Sequence, residues 1–280
     1  MTEPMDLTKL QRLLEAAEAR WQAADTPVSV LADVDKRRRL GADFLRTMAR
    51  RGASAEAHAR AAVAGYPPDF DWRNKGGQDY VTAVEDQGNC GSCVAFGTVA
   101  TVEATLQVQQ NDPTAGIDLS EAQVFYCYGG QAGVTCETGW WPDDAYKAIQ
   151  AGGVVDVACF PYTAGDQSCN LCGDAASRTV NINGWQSATD IGKIKNLLST
   201  AGPLSTCFTV YDDFFSYGGG IYHHVTGNVA GGHCVCVVGY SDTDGCWICK
   251  NSWGPGWGDG GFFSIAYGEC GIDAEMWAVS

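Results

Sequence analysis

The chain is expected to fold as an α+β protein, and the order of its periodic segments carries that reading. Segments with helical spacing fill the chain up to about residue 153, whereas short runs rich in Val, Ile, Tyr and Phe begin near residue 200. Helices first and strands later put a helical lobe beside a sheet lobe instead of alternating the two around a parallel sheet. The scale fits: 280 residues, 45% hydrophobic and 18% charged, can bury a large core.

Taken in order, DLTKLQRLLEAAEARWQAA (6–24) sets Leu7, Leu10, Leu13 or Leu14, Ala17 and Trp21 at helical spacing and predicts an amphipathic helix. Looser Ala- and Arg-rich sequence follows, including KRRRLG (36–41) and MARRGASAEAHARAAVAG (48–65), which needs a partner surface to bury anything. At GYPPDFDWR (65–73) the composition changes and Pro67-Pro68 stops a helix, so a domain boundary is expected between residues 65 and 66. VAFGTVATVEATLQVQQ (94–110) predicts a long helix, LSEAQVFYCY (119–128) a second with Ser120 as N-cap, and PDDAYKAIQAGG (142–153) a third closed by glycines. CFTVY, GGIYHHV, HCVCVVGYS, GCWICKNSW and GGFFSIAYG predict strands. The expected division is residues 1–65, then a helical lobe mainly at 88–200 and a β lobe mainly at 201–280 with part of 66–87.

Composition narrows the function. Residues 1–65 hold 11 Lys+Arg against 9 Asp+Glu, while residues 66–280 hold 7 against 24, so a slightly basic segment precedes a body of charge −17. A body so acidic repels a phosphate backbone, and no nucleic-acid partner is expected. No apolar run approaches the roughly 18 residues that span a bilayer, and no membrane partner is expected. The N-terminus carries acids and lacks an apolar core, so as it stands it does not read as a secretory signal. Thirteen cysteines, all between Cys90 and Cys270, nevertheless point to an oxidising compartment, secreted or lysosome- or vacuole-like. The odd number leaves one thiol free if the other twelve pair.

QGNCGSCVAF (87–96) raises the question of which thiol that is, since a lone CxxC can be a bridge, half a metal site or a nucleophile beside a staple. A thiol hydrolase needs a stabilised thiolate, a base, an orienter for the base and oxyanion donors. Cys93 would start the long helix, where the macrodipole favours a thiolate. Gln87 is an amide donor on the same loop. His233, in GGHCVCVVGY, opens a strand; Asn251, in CKNSWGPGWG, lies on the next, and a hairpin turning near 241–245 makes the two neighbours.

These segments resemble the papain and cathepsin family of cysteine peptidases. The matching pieces are DFDWR (69–73), QGNCGSC (87–93), GGHCVCVVGY (231–240), KNSWGPGWGDGGFF (250–263) and CGIDAE (270–275), which span most of residues 66–280. The resemblance implies a two-lobe papain-like fold with the active-site cleft between the lobes. It makes Cys93 the nucleophile, His233 the general base and acid, Asn251 the orienter of the imidazole, Gln87 the oxyanion donor with the Cys93 N–H, and Trp253 the shield of the His–Asn hydrogen bond. One position departs: Val94 stands where the family usually has an aromatic residue.

The resemblance further implies Cys90–Cys136 and Cys127–Cys169 bridges. A Cys207–Cys234 bridge would be compatible with it, and Cys249 is expected across the hairpin from Cys236; the partners of Cys159, Cys172, Cys246 and Cys270 stay open. The CxxC pairs Cys169/Cys172 and Cys246/Cys249 lie far apart and in different lobes, so no zinc site and no cofactor is expected. The family's second substrate subsite maps to Gly139, Trp140, Trp141, Cys207, Cys234 and Glu275. Gly139 would offer backbone hydrogen bonds, the two tryptophans aromatic walls, and Glu275 a carboxylate for an arginine, unless it simply faces solvent. The ending CGIDAE is similar to that of cathepsin B, but CFPYTAGDQSCNLC (159–172) is short and lacks the histidines of that enzyme's cleft-blocking loop, which leaves the primed side open. His223 and His224 are expected at the surface.

The function so implied is a cysteine endopeptidase made latent, with peptide or protein substrates and residues 1–65 as its own inhibitory propeptide. That propeptide is expected to run through the cleft after Leu40-Gly41 and cover Cys93. The alternatives are an inactive scaffold that keeps the fold, and a transpeptidase or ligase using the same acyl-enzyme.

Overall fold

The computed structural model describes residues 6–62 and 65–280. Residues 1–5, the start of the acid-bearing stretch that does not read as a secretory signal, and 63–64, near the end of the Ala-rich stretch, lie outside the described residues. Helix α1 (Leu7–Ala16) starts where Asp6 accepts the Thr8 N–H at 2.9 Å, and it buries Leu10 and Leu14. It ends earlier than periodicity predicts. Glu18 turns to φ 50°, and Trp21–Ala23 form strand β1 against β5 (Tyr217–Tyr222). The Trp21 indole donates to the His223 carbonyl at 2.9 Å and its ring packs 5.2 Å from Tyr222, so burying a large aromatic on a distant strand overrides weak local helical propensity. Three short helices follow: α2 (Asp33–Arg38), α3 (Phe44–Met48) and α4 (Ala55–Ala62).

The helical lobe is built on α5 (Cys93–Gln110), which is buried almost all round and ends on Asn111 in the left-handed region. The Ser120 hydroxyl accepts the Gln123 N–H at 2.9 Å, so the expected cap is present, but the helix beyond it is π-helical over Gln123–Gly129. Helix α6 (Pro142–Gly152) has Pro at its first turn and Gly153 at φ 68° beyond its end. Helix α7 (Ala175–Arg178) is a single turn.

Strands β2 (Asp69–Asp71), β3 (Trp185–Ala188), β4 (Leu204–Tyr211), β6 (Val229–Ser241), β7 (Cys246–Lys250), β8 (Phe262–Ala266) and β9 (Met276–Val279) complete one sheet in the order β1-β5-β8-β7-β6-β4-β9-β3, with β2 also on β6. Only β5 and β8 pair in parallel among the described strands. Helix α8 (Ile191–Thr200) buries Ile191, Ile194 and Leu198 in the sheet's core, so residues 191–200 pack with the β lobe and not, as expected, with the helical one. The lobes meet where α5 lies on β6, and α5 begins there with Cys93.

Bridges join Cys90 to Cys136, Cys127 to Cys169 and Cys159 to Cys172. The other seven cysteines are free, which corrects the expectation of a single free thiol. Cys207 and Cys234 stand opposite each other but are not bridged. Cys236 faces Lys250 while Cys249 faces Val237, one residue out of the expected register, so the pleat sends the two thiols to opposite faces. Six of the free thiols are buried and pack as small apolar side chains.

Candidate active site

The QGNC loop is held by its own amide groups. Gln87 donates its N–H to Ser252 O at 3.0 Å, its side-chain oxygen accepts the Ser252 hydroxyl at 2.7 Å, and Tyr162 donates to its carbonyl at 2.9 Å. With Oε1 occupied, the Gln87 Nε2 donors are aimed by elimination: one meets Cys90 O at 2.8 Å, and Arg39 O accepts at 3.0 Å. Cys93 begins α5 and is fully buried, and its Sγ accepts N–H groups from Gly41 at 3.2 Å and Cys234 at 3.4 Å.

Cys234 follows His233, so that contact sets the strand carrying the histidine against the thiol. His233 Nε2 donates to Asn251 Oδ1 at 2.7 Å, and the same oxygen accepts the Ser252 N–H at 2.8 Å. This consigns Nε2 to donation and leaves Nδ1, buried and unpartnered, as the basic nitrogen. The Trp253 ring lies 4.7 Å from the imidazole and keeps water from it. Gln87, Cys93, His233 and Asn251 are thus brought to one place. Ser252 and Tyr162, which steady Gln87, carried no sequence signal beyond their position in or near the motifs.

Burial pushes the Cys93 thiol up to about 12, with Cys207 adding to the rise and the N–H groups of Cys234, Gly41 and Val94 opposing it. Burial likewise pulls His233 down to about 4, against the Asn251 hydrogen bond and with help from the Arg39 charge. In this state the pair is a neutral thiol and a neutral imidazole. Residues 39–43 of the N-terminal segment fill the cleft. Besides the Arg39 and Gly41 contacts, Trp140 donates to Gly41 O at 2.9 Å, Asp43 donates to Trp140 O at 3.0 Å, and Ala42 donates to Gly232 O at 3.1 Å. The Arg39 guanidinium reaches Asp86 at 2.8 Å.

Farther on, Arg50 pairs with Glu275, its guanidinium 5.0 Å from the Trp141 ring and 5.2 Å from that of Trp277. Glu275 therefore does not simply face solvent. Trp277, on β9, was missed because no motif marks it. Trp140, not Gly139, makes the backbone bonds here, and its ring packs on Gly129 in the helical lobe instead of walling the pocket. Cys207 and Cys234 are buried in the same cluster as Cys93. His58 of α4 stacks on Tyr267 at 4.0 Å and bonds Asp273 at 2.7 Å; Asp273 also accepts N–H groups of Ala53 at 2.7 Å and Gly268 at 2.8 Å. His224 is half-buried, stacked 3.7 Å from Tyr211 and 3.2 Å from Asp213, so it is not the surface residue expected. His223 is half-buried too.

Residues 66–280 match the family described as papain family cysteine protease. The chain is 37% identical over 227 residues to "Cathepsin B-like CP3" of Giardia intestinalis, covering 75% of this chain and 73% of that protein. It is 35% identical over 230 residues to "Cathepsin L-like proteinase" of Fasciola hepatica, covering 79% and 66%. Its fold is similar to that of proCathepsin B S9 from Trypanosoma congolense, with TM-score 0.79 and 24% identity over 99% of this chain and 98% of that one. It is also similar to digestive procathepsin L 3 of Tenebrio molitor larval midgut, with TM-score 0.77 and 25% identity over 98% and 87%.

Proposed function

The chain belongs to the papain family of cysteine proteases, and within that family we propose that it is an endopeptidase made latent, with residues 1–65 as its inhibitory propeptide. The carrying observation is the Gly41 N–H donated to Cys93 Sγ while Arg39 O sits on Gln87 Nε2. Backbone thus occupies the cleft, setting an N–H on the sulfur and a carbonyl oxygen on the Gln87 amide, and keeps both groups from a substrate.

Once the segment leaves, water and the open cleft relieve the burial that keeps Cys93 and His233 neutral. His233 Nδ1 takes the thiol proton, and the Cys93 thiolate attacks a peptide carbonyl. Gln87 Nε2 and the Cys93 N–H hold the oxyanion. His233 then protonates the leaving amine, Asn251 fixes its ring, and water releases the acyl-enzyme. Three bridges support assembly in an oxidising compartment, secreted or lysosome-like. The test is self-processing at mildly acidic pH under reducing conditions, followed by titration with an epoxysuccinyl thiol inhibitor. One thiol lost per chain, with all activity, is expected; an unreactive chain would instead be a scaffold.

The Arg50–Glu275 pair supports a pocket that accepts arginine as well as bulky apolar side chains two positions before the cut. Glu275→Ala should lower the Arg-to-Leu ratio of kcat/KM on paired substrates by about tenfold, the value of a charge-assisted hydrogen bond. An unchanged ratio would show that Glu275 does not read the substrate. The short Cys159–Cys172 loop supports endopeptidase action, leaving the primed side open.

Asp273 supplies acid release. Burial would push its carboxyl up, but hydrogen bonds from His58, the Ala53 N–H and the Trp247 indole hold it below its ordinary value. A depressed pKa stabilises docking fully above the ordinary carboxylate value and ceases to do so as pH falls through the lowered one. Inhibition of the processed enzyme by the 1–65 peptide should therefore weaken below roughly pH 4. Asp273→Asn should weaken inhibition at neutral pH and flatten that dependence; inhibition constants parallel to wild type at every pH would exclude this role.

A further inference from the structure

Cys207 and Cys234 lie directly opposite each other on β4 and β6, buried beneath the nucleophile. The Cys234 N–H points at Cys93 Sγ, and two residues earlier the Gly232 carbonyl accepts the Ala42 N–H. At both positions the β6 backbone therefore turns its polar groups away from β4. Cys207–Cys234 is then a non-hydrogen-bonded cross-strand pair, the type whose Cα atoms approach to about 4.5 Å. A disulfide spans Cα separations from about 4.4 Å. Cys207, opposite Cys234 on the neighbouring strand, lies within electrostatic reach of both the Cys234 and the Cys93 thiols. A Cβ on Gly97 would come 2.8 Å from Cys234 Sγ, so that thiol sits against α5 one turn along from Cys93. Three thiols thus converge where the chemistry needs one, and the peptidase reaction uses neither of the other two.

We propose that Cys207 and Cys234 form a dithiol that resolves peroxide oxidation of Cys93 and returns it to the thiol. The Cys93 sulfur attacks hydrogen peroxide, forming an S–O bond and releasing water. The Cys207 sulfur displaces the sulfenic hydroxyl as a second water, forming a Cys93–Cys207 disulfide. Cys234 attacks the Cys207 sulfur, expelling Cys93 as a thiol and leaving a Cys207–Cys234 bridge. The two electrons and two protons come from the Cys207 and Cys234 thiols, and any dithiol reductant resets the pair. Without a resolving partner a sulfenic acid proceeds to the irreversible sulfinic acid. The inference rests on Cys93 being the reactive thiol, which inhibitor titration establishes separately.

The test takes the full chain after its own processing, with one aliquot titrated by the epoxysuccinyl inhibitor. Another is exposed to equimolar hydrogen peroxide, alkylated and mapped by mass spectrometry without reduction. A linked Cys207–Cys234 peptide, abolished by dithiothreitol, and retained activity are expected. Cys234→Ser should trap the Cys93–Cys207 bridge. Cys207→Ser should lose several-fold more of its own starting activity, irrecoverably, with sulfinic acid at Cys93. Sulfinic acid at Cys93 of the wild-type chain with no linked peptide would overturn the relay, as would a terminal Cys93–Cys207 bridge. Failure of the titration would overturn the peptidase reading itself, and the relay with it.

Discussion

Cys93→Ala should abolish peptide hydrolysis, by on the order of a million-fold, and leave the fold in place. The effect is large because the remaining groups act only through the sulfur. His233 Nδ1 has no other proton to take, and Gln87 Nε2 has no oxyanion to hold until a nucleophile has attacked. The other free thiols cannot take over: Cys207 and Cys234 are sealed in the lobe interface, and none of the seven free cysteines except Cys93 begins a long helix. The structural cost is small, because an alanine at a helix N-terminus loses one buried sulfur and two weak N–H contacts. The check is kcat/KM on dipeptide and tripeptide fluorogenic amides, alongside thermal unfolding. Residual activity within about tenfold of wild type would show that another group performs the attack, since loss of an acting nucleophile costs far more.

What could be read beforehand was what short stretches of chain determine. Cys93 at the start of α5 follows from a small-residue turn before a helical run, and His233 beside Asn251 follows from a hairpin whose turn sits near Ser241 to Gly245. Contacts made across the chain were less legible. Trp21 ends a helix early because its partners, Tyr217 and Tyr222, lie some 200 residues away, and no local periodicity records them. Trp277 comes under the Arg50 guanidinium because β9 inserts between β4 and β3, a matter of sheet order. Counting cysteines misjudged the bridges because a buried thiol packs well without a partner, and one residue of register separated Cys236 from Cys249. Arg50 facing Glu275 was hidden for the same reason as Trp21: the two halves of the contact belong to opposite ends of the chain.

Gly41→Val should make the full-length chain active without processing. A Cβ at position 41 would overlap the Gly91 carbonyl group and lie 2.6 Å from Gly91 Cα, all backbone atoms that no side-chain rotation can move aside. Gly41 does not adopt a positive φ, so the requirement is for space, not for glycine's conformational freedom. Gly91 is itself pinned, its N–H bonded to Cys136 O at 3.0 Å beside the Cys90–Cys136 bridge, and the loop cannot retreat. The N-terminal segment must therefore lift. Lifting breaks the Gly41 contact to Cys93 and the neighbouring bonds from Ala42 to Gly232, from Asp43 to Trp140 and from Trp140 to Gly41. At about 1 kcal/mol for each net hydrogen bond, losing three of them is about 3 kcal/mol, or roughly a hundredfold more open chain. The unprocessed variant should hydrolyse small substrates faster than unprocessed wild type by that factor. After processing the two should be indistinguishable, because position 41 has been removed. An unprocessed Gly41→Val chain as silent as wild type would mean that latency is not set by backbone lying on Cys93, and the cover would have to be sought in α1 and β1, where the segment joins the sheet.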